Sequence, residues 1–461
     1  MKKLSLLALA LSAGIPMLAQ TPPLKLTSPS GESSITAYGV LDLTLAHVAH
    51  DATFTDEYAA TGDPRPTKAA TKAVTGIMNG GLSADRVGIK GDTTIGGNWK
   101  ALFQLEMGFN LISGTLGNGA LSVAQNVTGT PSNNNGSFSA DSGVSGQLFG
   151  RSAFFGAASP TGGTLTAGRN TTFFTDLISD YEPTGGAAQF SPIGYSSSWS
   201  GGGGATDSAR LDSSIKYALK RQGFNIGYMH KFGGVSGASS SRSADNLIAG
   251  YDNGNFGVQL GYMAVKDNTV LANDMTDVQS GTGTVTNTYT NADQLKVTFY
   301  DTRAILLMAK YKIGNLWIKG GWQHQAFKDP SNPAQDATMT SIYGQLVGKT
   351  VTNALLLGGA EQTKKLDIYW IGPNCDVTPK LNIALGGYYI KQNNFANGTG
   401  AANPADVAGN ARFGSIILDY HIAKAFDVYA GYMSGQYREG MAAGYPLASN
   451  QIFGTGARYV F

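Results

Sequence analysis

Residues 98–110, NWKALFQLEMGFN, carry two surfaces on one short segment. The odd positions hold Trp99, Ala101, Phe103, Leu105, Met107 and Phe109, while the even ones include Lys100, Gln104, Glu106 and Asn110. A period of two marks a β-strand, whose successive side chains point to opposite faces. A sheet of such strands must meet oil on one side and water on the other. The pattern returns at 35–46, where Ile35, Ala37, Leu41, Leu43 and Leu45 oppose Thr36, Tyr38, Asp42 and Thr44. It returns again at 255–266, 380–389 and 425–433.

With weaker runs included, the pattern predicts sixteen strands, near 34–47, 82–93, 98–110, 148–159, 163–170, 209–219, 223–232, 243–252, 255–266, 297–313, 315–328, 363–374, 380–392, 411–423, 425–435 and 450–461. Their connections alternate in length. Turn-forming stretches at 94–97, 160–163, 220–223, 252–254, 313–315 and 378–380 separate pairs of strands. Long polar or Gly/Ser-rich stretches lie at 48–81, 111–147, 171–208, 267–296, 329–362 and 393–410. A soluble sandwich also alternates, but its strands usually run about five to six residues. Many here are twice that length. About 11 residues at ~3.3 Å each, tilted ~45°, rise about 25 Å, the height of a membrane's apolar band.

The remaining bounds agree. The chain begins MKKLSLLALALSAGIPMLAQ, with Lys2 and Lys3 before an apolar run from Leu4 to Ala13 and a break at Gly14 and Pro16. This reads as a secretory signal peptide, 1–19, cleaved after Ala19. Its removal takes the formal charge from +2 to 0, so no global field points to nucleic acid. Beyond Ala19 no apolar run reaches 18 residues, so the mature chain is expected to cross a membrane without helices. Cys375 is the single cysteine, which excludes an intrachain disulfide. Charged residues make up 14% of the chain, below the roughly 25% of soluble domains.

In lipid every backbone N–H and C=O needs an internal partner, so a spanning sheet must close on itself. The expected fold is therefore all-β, a 16-stranded antiparallel transmembrane β-barrel over 34–461, preceded by a periplasmic N-terminal segment at 20–33. A barrel this wide keeps an aqueous lumen.

Several stretches resemble the general bacterial porins, especially those of β-proteobacteria, from residue 34 to the terminus. They are ITAYGVLDLTL (35–45), SADRVGIKGDTTIGGNWKALFQLEMGF (83–109), LFGRSAFFGA (148–157), GTLTAGRN (163–170), ARLDSSIKY (209–217) and the ending GARYVF. The resemblance implies a homotrimer in the bacterial outer membrane with both termini in the periplasm. It also implies a third long loop folded into the lumen as an eyelet. Tyr459 and Phe461 look like the signal read by the outer-membrane assembly machinery. Outer-membrane lipid and lipopolysaccharide are the implied surroundings.

The candidate site follows from the same stretches. Arg86, Gly88 and Lys90 share one face of a strand and Val87 and Ile89 the other, so Arg86 and Lys90 are expected in the lumen. The family's eyelet arginines map to Arg86, Arg151 and Arg210. The third long loop opens GRNTTFFTDLISDYEPTGG, and its acids Asp176, Asp180 and Glu182 form the expected opposing wall. Walls of charge decide which ions and dipoles a constriction favours. Cations facing carboxylates across low-dielectric walls focus a transverse field. Arginine suits this because it stays charged.

Other motifs carry less. GGGG at 201–204 lacks the Lys-Ser/Thr ending and following helix of a phosphate cradle. His47, His50, His230, His324 and His421 show no metal-ligand spacing, and no Ser/His or Asp/His constellation suggests an enzyme. No metal, cofactor or catalysis is expected. Trp99, Trp317, Trp322, Tyr369, Trp370, Tyr388 and Tyr389 suit interfacial girdles, with a sugar-stacking track as the alternative. The expected function is a water-filled channel for passive diffusion of small hydrophilic solutes and ions. The alternatives are a substrate-specific channel for a sugar or organic acid, or a barrel adhesin or structural anchor acting through surface loops.

Overall fold

A computed structural model describes residues 24–51, 72–112, 114, 148–194, 209–234, 236–271, 276–279, 285–288, 297–328, 331, 341–342, 345–346, 363–394, 408–439 and 449–461. The expected signal peptide, 1–19, lies outside the described residues. The strands of the main sheet are β1 (Leu24–Thr27), β2 (Ser33–Asp51), β3 (Lys72–Asn79), β4 (Arg86–Gly96), β5 (Trp99–Gly108), β6 (Ser152–Ser159), β7 (Gly163–Thr171), β8 (Arg210–Arg221), β9 (Phe224–Lys231), β10 (Ala244–Asp252), β11 (Phe256–Leu271), β12 (Val297–Ile313), β13 (Leu316–Lys328), β14 (Lys364–Thr378), β15 (Leu381–Gln392), β16 (Gly409–Ala423), β17 (Phe426–Glu439) and β18 (Ser449–Val460). Among the described residues there is one helix, α1 (Phe173–Tyr181), which follows β7.

These 18 strands form one antiparallel sheet of 16 positions, because two positions are each shared by two strands. Strand β2 pairs with β3 through Leu43↔Asn79 and with β4 through Val40↔Arg86, so β3 and β4 are one strand interrupted at 80–85. The sheet closes where β18 pairs back on β2, from Ala49↔Gln451 to Val40↔Val460. Beyond that point Phe461 exchanges two backbone hydrogen bonds with Gly39, at 2.9 and 3.1 Å. Strand β1 then continues the same edge, from Leu24↔Ala37 to Thr27↔Ser34. Closure matters because it removes both edges, leaving no strand with a row of unpaired groups in lipid.

All sixteen expected strands are present. Two pieces of the main sheet lie where none was expected, beside two small separate hairpins, Thr276–Gln279 with Val285–Thr288 and Ser341–Ile342 with Gln345–Leu346. Lys72–Asn79 falls in a stretch read as loop, and Leu24–Thr27 in the segment read as preceding the barrel. Both are short and carry weak alternation, and only the partner β2 gives them their register.

The two faces have opposite chemistry. Ile35, Leu45, Ile89, Phe155, Leu260, Ile305, Leu307, Leu385, Ile416 and Leu418 are exposed, while Thr36, Asp42, Thr44, Glu106, Gln259, Gln323 and Gln325 are buried. A water-soluble protein has the reverse arrangement; a barrel with lipid outside requires this one. The girdle expectation needs one correction. Tyr369 is exposed, but its neighbour Trp370 is buried, as is Tyr388 beside Tyr389. Consecutive residues of a strand cannot both face lipid, so Trp370 and Tyr388 belong to the inner face. Trp317 joins them, being of opposite parity to the outward Trp322 and packed against Lys310, which pairs with Asp252 inside the barrel.

Gly39 shows how tightly the ends are joined. A Cβ there would sit 2.5 Å from the Phe461 ring and 2.9 Å from the Arg86 carbonyl. Gly39→Ala should therefore destabilise closure by about 1–3 kcal/mol, the usual cost of overpacking. The check is the fraction that migrates as folded barrel on an unheated gel, which should fall at lower temperature than in wild type.

Candidate functional site

Thr172 to Gly194 form a continuous stretch packed against the inner face of the sheet. Thr172 caps α1, with the Thr175 amide donating to its hydroxyl at 3.5 Å. Its phenylalanines seat on glycines. A Cβ at Gly227 would meet Phe173 at 2.3 Å, one at Gly261 would meet Phe174 at 2.5 Å, and one at Gly431 would meet Phe190 at 2.6 Å. Met229, Ile248, Met263, Leu306 and Met308 join Phe174 and Ile178 in one apolar cluster. The inner face of β9–β12 is thus apolar where this stretch covers it, contrary to a uniformly wet lumen. The covering stretch keeps water off those side chains, so they are as dry as a protein core.

Polar contacts hold the stretch along its length. The Phe173 amide donates to Asn246 at 2.7 Å. Tyr181 accepts from Gln259 at 2.9 Å and donates to Asp252 at 3.2 Å. The Trp370 indole donates to the Tyr181 carbonyl at 3.2 Å, and Asn374 to the Pro183 carbonyl at 2.9 Å. At the far end the Gln189 amide donates to the Gly81 carbonyl at 3.0 Å and its side chain to the Asn79 carbonyl at 3.1 Å.

That last anchor is the interruption between β3 and β4. Asp42, fully buried on β2, accepts from the amides of Gly81 (3.1 Å), Leu82 (2.9 Å) and Ser83 (2.8 Å), and from the Tyr429 hydroxyl. Asp85 returns the favour by accepting from the Asp42 amide at 2.5 Å. The carboxylate satisfies amides that lost their ladder partners. It thereby frees the carbonyls of Asn79, Gly81 and Leu82 to turn toward the covering stretch. Sequence inspection places Asp42 on the wet face but gives no sign of this role.

The expected basic residues separate into three settings. Arg86 and Arg151 converge on Glu106, with Nε to carboxylate distances of 3.9 and 2.6 Å, and the Tyr38 hydroxyl donates to the same carboxylate at 2.9 Å. Lys90 lies 5.1 Å from the centre of the Tyr38 ring. Arg210 is fully buried at the start of β8. Glu106 is the member that the sequence analysis left out of the site. Sixty-eight residues separate it from Tyr38 and 45 from Arg151, and only the sheet joins them.

The expected acids pair with other parts of the wall. Asp176 makes an ion pair with Lys216 and accepts from Thr171. Burial raises its carboxyl above the usual range, and the Lys216 ammonium works against that rise. Glu182 accepts from Thr184, from the Gly186 amide at 2.7 Å and from the Tyr388 hydroxyl. Asp180 faces Lys310 at 3.8 Å. Its side chain is 47% exposed against 2% for Asp176, so of the three it has the most solvent access to act on a solute.

Asp419, His421 and Asp427 also converge, with ligand atoms within 4.8 Å of one another. Arg458 lies against them, donating to Asp419 at 2.9 Å and to Asp427 at 2.7 Å. Its guanidinium supplies the positive charge that this cluster needs.

A closed sheet, apolar outside, with ionic clusters inside and a loop packed on its inner face, can now be set beside known proteins. The profile of the Gram-negative porin family matches residues 5–361. The chain belongs to the Gram-negative porin family. An outer membrane porin of Bordetella pertussis is 28% identical over 274 residues, covering 57% of this chain and 59% of its own length. The matched region thus spans less than two thirds of that relative. Among solved structures, the anion-selective porin from Comamonas acidovorans superposes with a TM-score of 0.58 at 18% identity, covering 93% of this chain and 100% of its own. OmpT of Vibrio cholerae gives 0.54 at 15%, covering 95% and 99%. These structures share the fold. Family and fold together place this porin in the outer membrane.

Proposed function

We propose that this porin is a water-filled channel for passive diffusion of small hydrophilic solutes and ions, with no bond made or broken. The observation that carries it is the charged cluster on the inner wall opposite an apolar exterior. The stretch 172–194 acts as the constriction loop, folded inward. Arg86, Lys90, Arg151 and Arg210 form the basic wall, and Asp176, Asp180 and Glu182 the acidic side. Asp180 acts on passing solutes, while Asp176 and Glu182 fasten the loop to β8 and β15.

Glu106 offsets one of the two guanidinium charges it touches, so Arg86, Arg151 and Glu106 together leave one positive charge. That supports a mild preference for anions, in line with the anion-selective porin that shares the fold. The assembly is a homotrimer, as the trimer form of the Vibrio protein illustrates for that chain. Tyr459 and Phe461, stacked with ring centres 5.6 Å apart at the end of the last strand, serve as the assembly signal.

The test is single-channel recording of purified protein in planar bilayers. Stepwise, ohmic conductance with little saturation by sugars or organic acids is the expected result. Saturable block by one solute class would favour a substrate-specific channel. Absence of steps would favour an adhesin or structural anchor.

A further inference from the structure

The last strand carries a buried charge on its inner side. On β18 the outward positions include Phe453 and Tyr459, both exposed, and the inward ones run Ile452, Gly454, Gly456 and Arg458. An arginine offers five N–H donors in a flat fork, so one side chain can hold several acceptors at fixed angles. Arg458 uses all three of its nitrogens: Nε and Nη2 donate to Asp427 on β17 at 3.0 and 2.7 Å, Nη2 also donates to Asp419 on β16 at 2.9 Å, and Nη1 donates to the Ser83 hydroxyl at 3.4 Å. His421 meets the other oxygen of Asp427 at 2.6 Å. Ser83 lies 375 residues away along the chain, in the break between β3 and β4. That contact requires β18 to close on β2.

Ser83 is held from two sides. Its amide donates to Asp42 at 2.8 Å while its hydroxyl accepts from Arg458. The same break receives the far end of the covering stretch, where the amides of Ala188 and Gln189 donate to the carbonyls of Leu82 and Gly81 at 3.4 and 3.0 Å. Phe190 rests on the other side of the seam. A Cβ at Gly431 on β17 would come within 2.6 Å of its ring and one at Gly454 on β18 within 3.3 Å, and Tyr429 meets it edge-on with centres 6.5 Å apart. The seat of residues 187–193 is thus built from both ends of the chain. Its two halves meet only when the sheet closes, and Arg458 ties them through Ser83 as Tyr429 does through Asp42.

Charge gives Arg458 a second task. Asp419 and Asp427 stand at inward positions, between the exposed Leu418 and Tyr420 on β16 and beside the exposed Phe426 on β17. In register, Asp427 lies opposite Arg458 and Arg458 opposite Asp42, two residues along from Val40, whose other neighbour is Arg86. The cluster therefore adjoins the basic wall. With Arg458 in place both carboxylates have a cation in contact. Without it, two negative charges would act on ions in the lumen across low-dielectric walls.

We propose that Arg458 is a positioning and selectivity residue of the channel. Through Ser83 it fixes the far end of the constriction loop, and by direct contact it keeps Asp419 and Asp427 from drawing cations. The second part rests on the channel reading; the first does not.

Three single variants separate the two tasks. Ser83→Ala removes the link and keeps every charge. Arg458→Lys keeps the charge but replaces the fork with one nitrogen. Arg458→Gln removes link and charge together, and is also made with Asp419→Asn and Asp427→Asn. Loop position is read by hydrogen–deuterium exchange of the folded full-length protein in detergent, with the amides of α1 as internal reference. Losing one hydrogen-bonded link should speed exchange at Ala188 and Gln189 roughly tenfold in all three single variants, with α1 unchanged. Ion preference is read from reversal potentials across a salt gradient. Arg458→Gln should shift toward cations, Arg458→Lys should stay near wild type, and the variant that also lacks both carboxylates should return to wild-type preference. Wild-type exchange at Ala188 and Gln189 in Ser83→Ala and Arg458→Lys would overturn the positioning role. So would exchange that rises equally across α1, which would mean a general loss of stability. An unshifted reversal potential in Arg458→Gln, or a shift that persists once the two carboxylates are gone, would overturn the selectivity role. Should Arg458→Gln fail to fold, Ser83→Ala and Arg458→Lys still decide the first role, and Asp419→Asn with Asp427→Asn in the Arg458→Lys background decides the second by moving preference toward anions. Wild-type protein that gives no conductance steps counts against the channel reading, while exchange still decides whether Arg458 positions the loop.

Discussion

Replacing Arg86 and Arg151 together with Ser should shift the channel's ion preference clearly toward cations, away from the proposed mild anion preference, and raise its conductance. Both guanidiniums lie against Glu106. Their removal takes two positive charges from one patch of wall and exposes the carboxylate they had offset. In a narrow aqueous passage of low-dielectric walls, such a change is felt by every passing ion. Two bulky side chains become small ones, so the cross-section also grows. Breaking a buried pair by removing one partner typically costs about 3–5 kcal/mol, so the variant should also melt earlier. A triple variant that adds Glu106→Gln separates the two effects. It removes the orphaned carboxylate, so cation preference should fall back while the larger conductance stays. Reversal potentials across a salt gradient are the measurement. An unchanged ion preference in the double variant would remove Arg86 and Arg151 from the site.

The second large effect is expected at Asp42. Asp42→Ala strips acceptors from the amides of Gly81, Leu82 and Ser83 and from the Tyr429 hydroxyl at once. Each buried donor left without an acceptor costs about 1–3 kcal/mol, so the loss should reach several kcal/mol. The damage should not stay local. The turned-out carbonyl of Gly81 is one of the anchors of the covering stretch, through Gln189. A loosened break should let that stretch move, giving a noisier open channel as well as earlier melting. Asp42→Asn keeps the shape and one acceptor oxygen, and should show less of both. Open-channel noise and thermal melting of the two variants make the check. Equal noise in Asp42→Ala and wild type would mean that the far end of the loop is held by Phe190 and its neighbours instead.

The barrel itself was legible in the residues. Positions such as Phe103, Ile305 and Leu418 repeat at a period of two, and a lipid-facing strand has no freedom to break that rule. The tight turns were legible for the same reason, because Gly97, Gly223, Gly254 and Gly314 sit at positive φ where other residues are strained. Lys72–Asn79 was not legible, since its identity as strand comes from β2 and its end comes from the carboxylate of Asp42. Nor was the partner of Glu106, whose alternation assigns a face and nothing more. Trp317, Trp370 and Tyr388 face inward although their ring chemistry suits a girdle, because the parity of each strand, not aromatic content, decides the face.

What the sequence determined alone is therefore local and periodic: strand, face, turn and the need for closure. These follow from the backbone's demand for hydrogen bonds in lipid, which each segment must meet along its own length. The tertiary structure decided which charges meet. Arg86 with Glu106 and Arg151, Asp176 with Lys216, and Asp42 with the break in the second strand depend on register across the sheet and on the path of one loop. Ion pairs and buried amides are settled by distances of a few ångströms, and alternation carries no information about distance between segments.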